Sequence, residues 1–67
     1  MIHGTPSPEW EGKRIRLIKM ADASPVEPGT TGTILKVNNR VGIIEVDWDS
    51  GRTLSIIPEI DKFEFIG

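Results

Sequence analysis

The sequence predicts an all-β domain, a small five-stranded barrel, and three observations carry that expectation. Gly42 to Ile57 alternates apolar and polar residues at period two on both sides of an Asp49-Ser50-Gly51 turn, the pattern of a tight β-hairpin. The same alternation runs through Ile15 to Leu17 and Phe63 to Phe65. Clusters of Pro, Gly, Asn and Asp cut the remainder into short runs of strand length.

The elements follow in order. Residues 1–12, with two prolines and two glycines, read as an extended N-terminal tail. Trp10 is its odd member. It either folds back to plug an open end of the barrel or anchors a partner, since tryptophan is enriched in binding hot spots. Lys13 to Met20 forms the first strand, with Ile15 and Leu17 on one face and Arg14 and Arg16 on the other. Ile18 and Met20 continue on the basic face, under partial cover from the next loop. Ala21 to Pro28 is that long loop. The second strand runs from Thr33 to Val37, and Gly32 before it marks a bulge or a close backbone approach.

Asn38-Asn39-Arg40 makes a turn because asparagine tolerates the left-handed region. The hairpin supplies strands three and four. It places Ile44, Val46 and Trp48 on one face and Glu45, Asp47 and Asp49 on the other. Leu54 and Ile56 repeat the pattern on the return arm, and Gly51 takes the positive φ of the turn. Pro58 to Asp61 breaks the ladder as one short helical turn, and Lys62 to Ile66 is the last strand. This order is that of an SH3-like barrel over residues 13–67. Its expected core is Ile15, Leu17, Ile34, Val37, Ile44, Val46, Trp48, Leu54, Ile56, Phe63 and Phe65.

Composition bounds the rest. A chain of 67 residues makes one small domain, which buries only roughly 60% of the surface its unfolded chain exposes. Cysteine is absent, so neither disulfides nor thiolate zinc sites support it. No apolar run reaches membrane-helix length and no secretory leader is visible, so a cytoplasmic location away from membranes is expected. Net charge is −2, yet residues 1–40 hold six Lys/Arg against four Asp/Glu and residues 41–67 hold two against six. In a barrel such halves interleave, so neighbouring strands compensate one another or, alternatively, the front half forms an electropositive patch.

Four segments together carry a resemblance. They are G-K-R-I-x-L at Gly12 to Leu17, P-G-x-x-G-T-I at Pro28 to Ile34, V-D-W-D-S-G at Val46 to Gly51 and I-P-E-I-D-K-F at Ile57 to Phe63. This frame resembles an uncharacterised bacterial and phage family of small domains of unknown function, similar to SH3-like barrels, over residues 12–66. The resemblance implies a small β-barrel and no established activity. The Pro-rich start departs from the helix-like lead expected of relatives. Gly29 to Ile34 alone is similar to translation-associated barrels that contact RNA or protein.

The chemistry available argues against catalysis. Cysteine is absent and His3, the lone histidine, lies in the tail without a His partner, so a histidine-based catalytic or metal site is not expected, nor a cofactor or an enzyme. Glu45, Asp47 and Asp49 read as a solvated face paired with Arg14, Arg16 or Arg52. The alternative is a cation site or paired acid–base carboxylates, for which nothing supplies an enclosing pocket. Gly29 to Gly32 lacks the lysine of a phosphate loop. Polyproline binding is disfavoured, because there is no tyrosine and periodicity commits the aromatics to the core. The expected role is a protein-interaction or self-associating module, with Trp10, Ile18, Ile43 and Ile57 as contacts. The alternative is a nucleic-acid-associated barrel contacting phosphates through Lys13, Arg14, Arg16, Lys19, Lys36 and Arg40. A further alternative is sequestration of a small metabolite or host factor.

Overall fold

Four antiparallel strands form one sheet in the order β3-β2-β1-β4 in a computed structural model, which describes residues 6–67. β1 is Arg14–Lys19, β2 Thr31–Asn38, β3 Ile43–Trp48 and β4 Lys62–Phe65. The longest strand, β2, lies between β1 and β3, and β1 is paired on both sides. The all-β expectation therefore holds, and the sheet is open.

The five-strand expectation is corrected at the hairpin's return arm. That arm meets β3 at its ends, where Trp48 N–H donates to the Arg52 carbonyl at 3.2 Å and Ile44 and Ile56 exchange two 2.8 Å bonds. Between these points the Leu54 carbonyl accepts the Trp48 indole N–H at 2.8 Å. With that acceptor turned to a side chain, a single bridge at Ile56 replaces a strand. Gly51, at φ +91°, closes the hairpin as its sequence requires.

Two further local expectations are corrected. The turn after β2 uses Gly42, at φ +70°, for its left-handed residue. Asn38 serves differently: its side chain accepts the Arg40 N–H at 3.2 Å, an Asx turn. A 3-10 turn lies at Pro8–Trp10, inside the expected extended tail, while the turn before β4 closes as a single helical turn does, the Ile57 carbonyl accepting the Ile60 N–H at 3.0 Å and the Asp61 N–H at 2.8 Å. Ser7 caps the 3-10 turn by accepting the Glu9 N–H, and Pro8 presets its first position.

Parity along the strands is broken by two register shifts. One lies between Leu17 and Lys19 where β1 meets β4, the other between Ile34 and Lys36 where β2 meets β3. Each inserts an outward residue and resets the inward face. Ile18 and Lys19 both face solvent and Met20 returns to the core; Leu35 and Lys36 face solvent and Val37 returns. Met20 and Val26 thus join the core beside nine of the expected residues. Leu54 packs at its margin, and Phe65 is 40% exposed. Burying each of the large side chains contributes about 1.5–3 kcal/mol.

Gly32 lies where β2 and β3 approach closely. It pairs with Ile15 on one side and Trp48 on the other. A Cβ there would stand 2.9 Å from the Asp47 carbonyl oxygen, from Trp48 Cε3 and from Val46 Cγ1. The close approach expected from the sequence is what the fold contains.

Asp61 is the buried charged residue of the described core. Its Oδ1 accepts the Ala21 N–H at 2.7 Å and its Oδ2 the Ile57 N–H at 2.8 Å. The carboxylate thereby ties the long loop after β1 to the turn before β4. Replacing Asp61 with alanine leaves both donors without their acceptor, a cost of about 1–3 kcal/mol for each that stays dry. A urea melt of Asp61→Ala is expected to lose several kcal/mol of stability, with Asp61→Asn, which keeps one acceptor, in between. Equal stability of Asp61→Ala and the native chain would contradict this role.

Candidate functional site

Pairing of β4 with β1 sets Phe65 opposite Ile15 and Phe63 opposite Leu17. These positions share the core face, but β4 ends the sheet order and Phe65 lies at its last residue. Phe65 therefore overhangs the core that Phe63 enters. Residues 7–13 bring Trp10 to the same place. Lys13 N–H donates to the Trp10 carbonyl, Gly12 N–H to the Ile34 carbonyl at 2.7 Å, and Ile34 N–H to the Lys13 carbonyl. The Glu11 carboxylate accepts the Val37 N–H at 3.1 Å, so the segment is fastened along β2.

The result is an aromatic triad. Trp10 meets Phe65 edge-on at 5.1 Å between ring centroids and Phe63 at 6.1 Å, with the two phenyl rings 5.6 Å apart. Such edge contacts each contribute about 0.5–1.5 kcal/mol beyond burial. Beside it opens a groove of about 260 Å³ lined by Trp10, Lys13, Arg14, Phe65, Ile66 and Gly67. That is smaller than the roughly 300–1,000 Å³ of small-molecule pockets. It has room for about one bulky side chain.

Charges on the outer face are ordered across the strands. Arg14 reaches over β2 to Asp49, Nη1 to Oδ1 at 2.9 Å and Nη2 to Oδ2 at 2.5 Å. Its guanidinium also donates to Thr33 Oγ1 and Thr31 Oγ1, while the Thr31 hydroxyl donates to Asp49 at 2.6 Å. The Arg14 hydrogen bond, then that of Thr31, hold the Asp49 carboxyl well below the usual aspartate range, and Asp49 in turn raises Arg14. With the folded value depressed, this contribution is complete above the unfolded value of about 3.9 and is lost as pH falls through the folded one. On the other side of β1, Arg16 donates to Glu64 at 2.9 Å.

Residues 9–66 match a family model described as Domain of unknown function (DUF4314). The chain belongs to that family. No curated protein and no solved structure matches it. The match spans Trp10, both phenylalanines and Ile66, so every groove wall except Gly67 lies inside the DUF4314 domain. The expectation of a family of small domains of unknown function is met.

In this DUF4314 domain the four expected protein contacts are spread out. Trp10 ends the 3-10 turn before β1, and Ile18, 48% exposed, lies near the end of β1. Ile57, 39% exposed, flanks the turn before β4, and half-buried Ile43 opens β3. Of the six expected phosphate contacts, Arg14 and Arg16 hold carboxylates. Lys36 lies opposite Glu45 and Lys19 opposite Lys62, while Lys13 and Arg40 are exposed. His3 falls outside the described residues. Among those described, no group of three or more His, Cys, Asp or Glu could hold a metal, and no helix is long and apolar enough to cross a membrane. Sequence reasoning missed Phe65 and Ile66 as groove walls, and the signal was their place at the end of the last strand.

Proposed function

We propose that this domain is a non-enzymatic protein-interaction module of SH3-like barrel type. The strand order, with the return arm joined to β3 through Ile44 and Ile56, supports the barrel reading. A bacterial or phage origin is supported by the resemblance of its sequence frame. The observation that carries the functional reading is the groove between Trp10, an expected protein contact, and Phe65, which periodicity assigns to the core. Aromatic side chains beside a small concavity are the usual anchors of peptide recognition. Its volume fits one side chain of an extended segment better than a metabolite.

A displayed peptide library panned on the full chain tests this. Enriched peptides are expected to lose more than about tenfold in affinity on Phe65→Ser, the loss of a hot-spot contact. A thermal melt of the variant separates that loss from unfolding. Peptides that bind native and variant chains alike, or no enrichment at all, would contradict the proposal.

A further inference from the structure

We infer that the groove recognises an acidic, extended segment of a protein partner, seating a bulky apolar side chain by Trp10 and Phe65 and a carboxylate on Lys13. This rests on the interaction reading above and adds the chemistry of the partner. Among the described residues the groove is lined by two cations, Lys13 and Arg14, and by no acidic side chain. Arg14 already holds Asp49 with both terminal nitrogens. Lys13 is exposed and in no ion pair among the described residues. It is the cation left for a ligand, one residue from the strand that fixes its position.

Rings beside cations can also stack nucleic-acid bases against a phosphate chain. Here the carboxylates of Asp49 and Glu64 neutralise Arg14 and Arg16, and the chain carries a net charge of −2. A polyanion tracking β1 would lose those two contacts and meet their partners instead. A short acidic peptide needs Lys13 and the apolar wall alone.

The test titrates the full-length, isotope-labelled chain with blocked Asp-Leu-Phe-Glu, blocked Lys-Leu-Phe-Lys and an oligothymidine. The acidic peptide is expected to shift the amides of Lys13, Arg14 and Ile66 and to bind at least about fivefold more tightly than the basic one, the scale of exposed charge pairs reversed in sign. Lys13→Glu, at an exposed position held to Trp10 and Ile34 through its backbone, is expected to invert that order. Equal binding of both peptides in the groove would overturn the acidic preference while leaving the interaction module standing. Absence of groove shifts with either peptide, alongside library peptides that do depend on Phe65, would overturn it likewise. Oligothymidine displacing the peptide with a steep salt dependence would overturn it in favour of nucleic acid. Groove shifts that grow with protein concentration alone would assign the groove to a second copy of the chain.

Discussion

Val46→Asp is expected to abolish folding. Val46 is 1% exposed and pairs with Ile34, itself 1% exposed, in the middle of the β2–β3 ladder. Its side chain also stands against the backbone of Gly32, where an added Cβ would meet it. Among the described residues a carboxylate there has no buried cation to pair with, and an unpaired buried ion costs several kcal/mol even after relaxation. A domain of this size has about 3–10 kcal/mol of total stability at ordinary per-residue values. Circular dichroism should show no cooperative melt for the variant, and its amide spectrum should lose dispersion. A cooperative transition near the native midpoint would mean that β3 does not face the core as described.

Gly32→Ala is the second large effect, and its sign is diagnostic. In a compatible strand position, alanine for glycine stabilises by about 0.4–1 kcal/mol through the unfolded chain. At Gly32 the new methyl meets a backbone oxygen and an indole carbon at 2.9 Å. Neither is the free end of a flexible side chain, so β2 and β3 must separate locally. Overpacking of this kind costs about 1–3 kcal/mol. In a domain of this length that lowers Tm by roughly 4–8 °C per kcal/mol. The urea midpoint should fall with little change in slope, since the folded and unfolded states keep their exposed areas. A variant more stable than the native chain would show that the strands do not approach at this point.

What the sequence makes legible is what repeats locally. The inward set Ile44, Val46 and Trp48 lies in one unbroken strand, so period two finds it. Met20 is hidden from that reasoning, because the register shift between Leu17 and Lys19 turns it inward against the parity of Ile15 and Leu17. Val26 is buried in a loop that has no period to read. Asp61 looks like any polar turn residue until Ala21, distant in the chain, is brought to its Oδ1. The 3-10 turn was open to a closer reading. Ser7-Pro8-Glu9 combines a capping serine, a first-turn proline and a first-turn acid, which together outweigh the tail-like composition around them.

The groove was not legible for a related reason. Period two puts Phe65 in phase with Phe63, and in phase it is. Burial depends also on what lies beyond the strand, and β4 has β1 on one side as the end of the sheet order. The second wall, Trp10, arrives through hydrogen bonds from Glu11, Gly12 and Lys13 to β2 that composition cannot announce. Charge compensation, by contrast, was foreseeable in kind. Alternation sets Arg14 outward on β1 and Asp49 outward on the hairpin, and the sheet brings them within reach, whereas Arg16 finds Glu64 on β4 instead of a hairpin carboxylate.

The account depends most on β1 being flanked by β2 and β4, which gathers Trp10 and Phe65 at one open end of the sheet. A nuclear Overhauser spectrum of the full chain tests this directly. It should show contacts between the Trp10 indole and the Phe65 ring, together with backbone contacts of Arg14 with Thr33 and of Ile15 with Phe65. A spectrum with Phe65 packed among β3 side chains and Trp10 distant from it would contradict the fold as described, and the groove with it.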